Sequence, residues 1–193
     1  MSRNSRTFAS QLTIYLLQTK ILMEIKQNTV VVLSYELKTT VTDGTFEAIE
    51  TVDKNNPFAF IFGMSGLPEG FEEQLLGRKV SEVFDFTVLP EDGYGDRDED
   101  AEVALTKTMF EIEDGKIPEG MLTVGNVIPM TNDEGEKIMG TVIADLGAEI
   151  IMDFNHPLAG KTMHFKGEII SIREATKEEL EHGHVHGEHG VEH

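Results

Sequence analysis

The feature that most constrains the fold is a strand pattern interrupted by a stretch of different character. Residues 82–90 (EVFDFTVLP) alternate apolar and polar side chains, and residues 161–175 (KTMHFKGEIISIREA) show the same period of two, which is typical of half-buried antiparallel strands. Between them, over residues 98–152, short apolar stretches alternate with turn sequences. The turns recur at roughly ten-residue spacing, which is typical of a small all-β unit. The order therefore predicts one domain interrupted by another.

The preceding segment adds a hairpin and a short helix. Residues 29–39 (TVVVLSYELKT) are rich in β-branched residues and run into the turn signal TDG, so they predict a strand followed by a hairpin. Residues 56–66 (NPFAFIFGMSG) predict a strand broken by glycines, and residues 67–77 (LPEGFEEQLLG) place apolar side chains at helical spacing. Near the C-terminus, Thr176 and Glu179 form the pattern of a capping box that begins another brief helix.

Composition narrows the classes of partner. The formal net charge is −19, with 16 Lys and Arg against 35 Asp and Glu, which excludes the basic surface that nucleic-acid binding requires. There is no cysteine, so disulfides and thiolate metal ligands are excluded and any metal site must use His, Asp or Glu. No stretch reaches the length of a membrane span. We expect a cytoplasmic protein with neither nucleic-acid nor membrane partners.

The N-terminal segment differs from the acidic remainder. Residues 1–22 carry Arg3, Arg6 and Lys20 and no acid, and their apolar run is shorter than the core of a signal peptide. This composition favours an extension outside the fold, with Met23 as the natural start. A presequence is the alternative interpretation.

Histidines are concentrated at the C-terminal end, which reads HGHVHGEHGVEH. Neutral imidazoles suit nickel, copper and zinc, and several of them on one flexible segment can surround one ion. The candidate ligands are His182, His184, His186, His189 and His193. A purification tag or a solvated tail would give a similar composition, but tags are usually uninterrupted runs of histidine, and these histidines are separated by other residues. His156 has two interpretations, a hydrogen-bonding structural role and metal ligation, whereas His164 alternates with Phe165 and is expected to face away from the pocket.

One long segment resembles a known family. Residues 56–95 contain Pro-Phe-x-Phe, a glycine loop, Gly-Phe-Glu-Glu and a later Tyr-Gly, and this order resembles the FKBP-type peptidyl-prolyl isomerases over about residues 28–176. Residues 154–187, with Asn-His-x-Leu-Ala-Gly, Arg-Glu-Ala-Thr and the His-rich end, are similar to the SlyD group of that family. That group carries a chaperone domain inserted in the flap, where residues 98–152 fall.

The resemblance implies an α+β fold that is mainly antiparallel β: an FKBP-like curved sheet with a short helix, plus an inserted small all-β flap domain. It assigns residues 28–97 and 153–176 to the isomerase domain and residues 98–152 to the chaperone domain. Residues 1–27 form an extension, and residues 177–193 form a short helix and the His-rich tail.

The resemblance also implies an activity, which is rotation of X–Pro bonds in unfolded or partly folded polypeptides, without a nucleophile or a required cofactor. The implied pocket residues are Tyr35, Phe58, Leu67, Pro68, Phe71, Tyr94 and Phe165. The same likeness implies that the tail binds Ni²⁺, or Zn²⁺ or Cu²⁺. We expect a monomer whose partners are proline-containing polypeptides and divalent metal ions.

Two positions depart from the family pattern. Ala48 stands where an Asp is usual, and the nearest acids are Glu47 and Glu50; Glu47 faces the opposite side of its strand unless the register slips. Pro68 stands where an Ile is usual and lacks a backbone N–H. Both predict weakened turnover. The alternative is therefore a holdase with a catalytically weak pocket, in which the methionines of residues 98–152 either bind clients or fill a small core. A metal-storage role is a further alternative, disfavoured by the short, cysteine-free tail.

Overall fold

A computed structural model describes residues 23–41, 44–112, 115–132 and 134–186. The chain divides into two compact units: unit 1 comprises residues 1–95 and 161–193, and unit 2 comprises residues 96–160. In the described part of the chain, no helix is both long enough and apolar enough to cross a membrane. The roles of the two units as isomerase and chaperone stay predictions at this point.

Unit 1 is built on a five-stranded antiparallel sheet in the order β2-β1-β9-β4, with β3 paired to β1. Its strands are β1 (Thr29–Thr40), β2 (Phe46–Val52), β3 (Phe58–Ile61), β4 (Val83–Val88) and β9 (Met163–Glu174). Helix α1 (Glu69–Leu75) precedes β4, and helix α2 (Lys177–His182) follows β9. The predicted α+β fold, dominated by antiparallel strands, is confirmed.

Strand burial follows from the sequence pattern. In β4, Phe84, Phe86 and Val88 are buried while Val83 is 72% exposed, as the period of two predicts. The start of β1 is instead buried at five consecutive residues, Thr29 to Leu33. The last four of them, Val30 to Leu33, pair with β3 on one side and β9 on the other, so both edges of this part of the strand are covered.

Unit 2 is a four-stranded antiparallel sheet in the order β5-β8-β7-β6. The strands are β5 (Glu102–Thr106), β6 (Val127–Thr131), β7 (Lys137–Asp145) and β8 (Glu149–Asp153). Its buried core consists of Phe110, Ile128, Val142, Ile150 and Met152.

The two ends of unit 2 are tied together. The Asp98 N–H donates to Asn155 Oδ1 at 2.8 Å, and Arg97 Nη2 donates to both Glu102 Oε1 at 2.6 Å and Asp153 Oδ2 at 2.8 Å. Because these bonds join the residues just before β5 to those at and after the end of β8, the unit closes on itself.

Residues 24–27 belong to the folded part of unit 1. Ile25 is fully buried, its N–H donates to the Arg78 carbonyl at 2.9 Å, and Glu24 bridges to Lys79. The expectation that residues 1–27 lie outside the fold is therefore wrong for residues 24–27, which are part of unit 1. These residues are part of the fold because Ile25 is buried and hydrogen-bonds to the backbone just after α1. Residues 1–22 lie outside the described part of the chain.

Candidate active site and histidine cluster

Five aromatic side chains of unit 1 form a closed circuit of ring contacts, which we call the aromatic cluster. The ring centroids are 6.1 Å apart for Tyr35 and Phe58, 5.5 Å for Phe58 and Phe60, and 6.1 Å for Phe60 and Phe71. Phe71 lies 4.7 Å from Phe165, which in turn lies 5.9 Å from Tyr35. All these separations fall within the range in which aromatic rings attract each other. The five rings therefore form one continuous apolar cluster, in which Phe60, Phe71 and Phe165 are buried and Tyr35 and Phe58 are half-buried.

The backbone positions these rings from four elements. Tyr35 comes from β1, Phe58 and Phe60 from β3, Phe71 from α1 and Phe165 from β9. Directly opposed residues of antiparallel strands point to the same face, and Leu37 opposes Phe165, which opposes Phe86. We call this face, which carries the aromatic cluster, the front face of the sheet.

A glycine in β9 permits close packing on the front face, next to the aromatic cluster. Gly167 pairs with both Tyr35 and Phe84. A Cβ added to Gly167 would lie 2.1 Å from the Ser34 carbonyl oxygen and 2.6 Å from the Phe84 ring, so no other residue fits there without movement. The lack of a side chain at Gly167 therefore lets the Phe84 ring of β4 lie against the backbone of β9.

Four of the seven predicted pocket residues belong to the aromatic cluster, namely Tyr35, Phe58, Phe71 and Phe165. Sequence reasoning missed Phe60, and it also missed Phe86, which lies 5.8 Å from both Phe71 and Phe165. The sequence pattern does mark both residues. Phe60 shares the period-two face of Phe58, and Phe86 lies on the apolar side of the alternating β4 pattern.

Leu67 and Pro68 lie in the loop before α1. Pro68 is buried, and its carbonyl accepts the Phe71 N–H at 3.0 Å, so it begins the helix. Leu67 is half-buried and borders a groove of about 370 Å³ that also contains Gln27 and Glu72. The place of these two residues in the pocket stays a prediction.

Tyr35 and Tyr94 are linked through one carboxylate. The Tyr35 hydroxyl donates to Glu50 Oε2 at 2.7 Å. Burial raises the pKa of Tyr35, and the bond to Glu50 raises it further. Tyr94 is half-buried in the turn before Gly95; burial raises its pKa first, and the charge of Glu50 adds to the effect. Both phenols are therefore kept protonated and can donate hydrogen bonds.

A groove of about 580 Å³ in unit 1 is lined by one member of the aromatic cluster, Tyr35, and by Phe84. Its lining also includes the charged residues Glu36, Asp85 and Lys166. Glu36 opposes Lys166, which opposes Asp85, so these side chains alternate with the front-face residues and point to the back of the sheet. The groove therefore combines aromatic and charged side chains.

A scan against protein families matches residues 23–123 to the family described as FKBP-type peptidyl-prolyl cis-trans isomerase. The chain belongs to the FKBP-type peptidyl-prolyl cis-trans isomerases. Its relatives include the isomerase SlyD of Aeromonas hydrophila, 38% identical over 172 residues that cover 89% of this chain and 75% of that protein. SlyD of Haemophilus influenzae is 36% identical over 168 residues, covering 86% and 82%, and SlyD of Escherichia coli K12 is 34% identical over 168 residues, covering 86% and 80%. The predicted SlyD-like FKBP-type isomerase is thus confirmed.

In this FKBP-type isomerase, three of the predicted metal ligands come together after α2. One ring nitrogen from each of His182, His184 and His186 lies within 4.8 Å of the others. His186 Nε2 is 3.2 Å from His182 Nδ1 and 3.2 Å from His184 Nε2. With Zn–N bonds of 2.0–2.1 Å, two ligands of a tetrahedral ion are about 3.3 Å apart. The two 3.2 Å separations match this spacing, and the nitrogens of His182 and His184 lie within 4.8 Å of each other. His189 and His193 lie outside the described residues.

The described part of the tail is folded onto unit 1, whereas the sequence predicted a flexible segment. Val185 is 6% exposed and packs in a cluster with Val30, Val32 and Ile61. The His186 N–H donates to Glu179 Oε1 at 2.9 Å. This part of the tail is held in place because Val185 buries its apolar side chain against β1 and β3.

The remaining histidines have local partners. The Leu158 N–H donates to His156 Nδ1 at 3.1 Å, and burial lowers the pKa of His156. His164 Nε2 lies 2.7 Å from Asp85 Oδ1, and its ring packs on Phe46 at 5.8 Å. His164 adjoins Phe165 in β9 and therefore points to the back of the sheet.

Proposed function

We propose that this isomerase binds X–Pro segments of unfolded polypeptides against the aromatic cluster and lowers the barrier to rotation there. The observation that carries the proposal is the closed circuit of five rings contributed by β1, β3, α1 and β9. Such a surface can hold a prolyl ring, and the Tyr94 hydroxyl, kept protonated, can donate to a substrate carbonyl.

The chemistry needs no nucleophile. Rotation about the prolyl bond passes through a twisted amide over a barrier of about 18–20 kcal/mol. Twisting removes the resonance that places charge on the carbonyl oxygen, so the transition state is less polar than either planar form. An apolar surface that excludes water favours that state over the planar ones.

Two substitutions test the pocket. Phe165→Ala and Tyr94→Ala should each lower kcat/KM for a proline-containing tetrapeptide at least several-fold in a protease-coupled assay. Circular dichroism and urea unfolding establish that each variant is folded. Leu89→Ala is a matched control, because Leu89 is 46% exposed and is not one of the five residues of the cluster. Unchanged rates in both pocket variants would refute the assignment.

Unit 2 supplies a second candidate function, which is holding unfolded clients. Met109, Val124 and Leu146 are each at least 60% exposed, so apolar side chains are accessible on this small unit. The methionines divide between the two alternatives: Met152 fills the core, whereas Met109 and Met139 are exposed. The exposed ones can adapt to varied apolar segments. A holdase with a weak prolyl pocket is the alternative whole-chain function, supported by Pro68, which has no N–H to offer a substrate.

We also propose that the tail binds a divalent ion, with Ni²⁺ as the first candidate and Zn²⁺ or Cu²⁺ as alternatives. His182, His184 and His186 would hold it, since three imidazole nitrogens already lie within 4.8 Å of each other. Isomerisation requires no such ion. We place these activities in the cytoplasm of the cell and assign them to a monomer, on the likeness to SlyD and on a chain that needs no disulfides.

A further inference from the structure

An acid of strand β2 lies on the same face as the aromatic cluster. Leu37 in β1 opposes Glu50 in β2 and Phe165 in β9. Opposed residues of antiparallel strands share a face, so Glu50, Leu37 and Phe165 all point to the front face. Sequence alternation alone leaves the direction of Glu50 open.

A β-bulge turns Glu50 to that face. The register of β1 against β2 shifts between Leu37 and Lys38: Leu37 opposes Glu50, but Lys38 opposes Ala48. Ile49 is thereby left without an opposed residue, and a bulge of this kind re-aims the side chains beside it. Ala48 shares the face of Lys38 and so points to the back of the sheet. The position where the family carries an acid is thus turned away from the aromatic cluster, and Glu50 is turned toward it.

The carboxylate of Glu50 contacts the cluster through Tyr35. Tyr35 opposes Val52, two residues beyond Glu50, and its hydroxyl donates to Glu50 Oε2 at 2.7 Å. Hydrogen bonds to a charged acceptor are stronger than those between neutral groups. The Tyr35 ring itself contacts Phe58 and Phe165, so the bond fixes a ring that belongs to the cluster.

We propose that Glu50 is the positioning acid of this prolyl pocket, holding the Tyr35 ring against the cluster from a bulged strand in place of the acid missing at Ala48. The inference rests on the proposed pocket. Glu50 acts through Tyr35 and is a positioning residue rather than a catalytic one. It also implies that loss of the acid at position 48 does not by itself leave the pocket without a carboxylate.

The test is a double-mutant cycle measured as kcat/KM on a proline-containing tetrapeptide. Glu50→Leu should lower kcat/KM about three- to tenfold, a modest factor because the side chain is exposed. In a Tyr35→Phe background, Glu50→Leu should change kcat/KM less than about twofold, because the partner hydroxyl is gone. Glu50→Asp should retain part of the activity lost in Glu50→Leu. A merely structural residue would show equal losses in both backgrounds.

Two controls sharpen the outcome. Glu47→Leu removes another acid of β2, which opposes Thr39 and so also lies on the front face, and it should leave kcat/KM unchanged because the Tyr35 hydroxyl donates to Glu50. Adding Ala48→Asp to Glu50→Leu should not restore activity, because position 48 points to the back of the sheet. Restoration by Ala48→Asp would overturn the bulge argument.

The outcomes separate this inference from the pocket on which it rests. Wild-type kcat/KM in Glu50→Leu, together with a large loss in Phe165→Ala, would overturn the role of Glu50 and leave the pocket intact. If Phe165→Ala also keeps wild-type kcat/KM, the pocket assignment fails and the inference fails with it. Glu50→Gln, which keeps the size of the side chain, replaces Glu50→Leu in the cycle if the latter does not fold.

Discussion

The carboxylate of Glu179 should be a large single contributor to the stability of unit 1. Its side chain is 1% exposed and accepts four hydrogen bonds. Arg173 donates two, at 2.7 Å to Oε2 and 2.6 Å to Oε1; the Thr176 N–H donates to Oε2 at 2.8 Å and the His186 N–H to Oε1 at 2.9 Å. One side chain therefore joins β9, the start of α2 and the tail.

Glu179→Gln replaces one oxygen by an NH₂ group and keeps the shape. Whichever way the amide faces, it loses one bond from Arg173 and one from a backbone N–H, and it sets a donor against two donors. A bond to a charged group contributes about 1.5–3 kcal/mol and a neutral one about 1 kcal/mol. Since the Arg173 side chain is 43% exposed, solvent screens it and the lower values apply. We expect the free energy of unfolding of unit 1 to fall by about 2–3 kcal/mol.

Urea-dependent hydrogen exchange read on peptides of β1 and β9 measures this loss for unit 1 alone. Glu178→Gln is the matched control, because Glu178 is exposed in the same turn of α2, and its effect should stay within about 0.5 kcal/mol. If Glu179→Gln also stays within that limit, the ion pair merely offsets its own desolvation and the reasoning is refuted.

The stability difference between wild type and Glu179→Gln should depend on pH in a definite direction. The bonds from Arg173, opposed in part by burial, lower the pKa of Glu179 in the folded state. Its contribution is therefore present above the unfolded-state pKa of about 4.3 and is lost as pH falls through the folded-state value. The gap between wild type and Glu179→Gln should narrow in acid. A gap that widens in acid would contradict the assignment.

Three further predictions concern unit 2 and the binding of Ni²⁺ by the tail. Deleting residues 96–160 and closing the gap with a short turn should leave tetrapeptide isomerisation within a few-fold of wild type but lower the rate on a proline-limited refolding protein much more; equal losses would argue against separate roles. Replacing His182, His184 and His186 together by Gln should abolish tight Ni²⁺ binding in calorimetry. Val185→Ala, which removes no imidazole, should weaken Ni²⁺ binding by up to about fifteenfold, since two lost methyl groups contribute about 1.6 kcal/mol to docking of the tail. An unchanged affinity in Val185→Ala would show that docking does not organise the ligands.

Much of the fold could be predicted from the sequence because period and turn chemistry are local. The alternation of Phe84, Phe86 and Val88 gave β4, and the capping box of Thr176 and Glu179 is present in α2 as predicted. The aromatic cluster was predicted in part, since ordered landmarks along the chain identified Tyr35, Phe58, Phe71 and Phe165.

What the sequence could not reveal depends on contacts between distant residues. The bulge at Ile49 is a property of how β2 pairs with β1, and strict alternation gives no sign of it. Val185 sits among histidines and glycines, where its burial against β1 is visible only once the strand is in place. Ile25 likewise belongs to the fold through its bonds to Arg78 and Gly77, far along the chain.

The closure of unit 2 on itself bears on how fast unit 1 can assemble. Strands β4 and β9 are neighbours in the sheet, yet the whole of unit 2 separates Val88 from its partner Met163. Pairing distant segments of an unfolded chain is slowed by the entropy of loop closure. Once unit 2 has folded, the contact between Asp98 and Asn155 shortens the effective loop about fourfold, which lowers the entropic cost of pairing by about 1 kcal/mol. If unit 2 folds first, it therefore brings the two halves of the interrupted sheet within reach of each other.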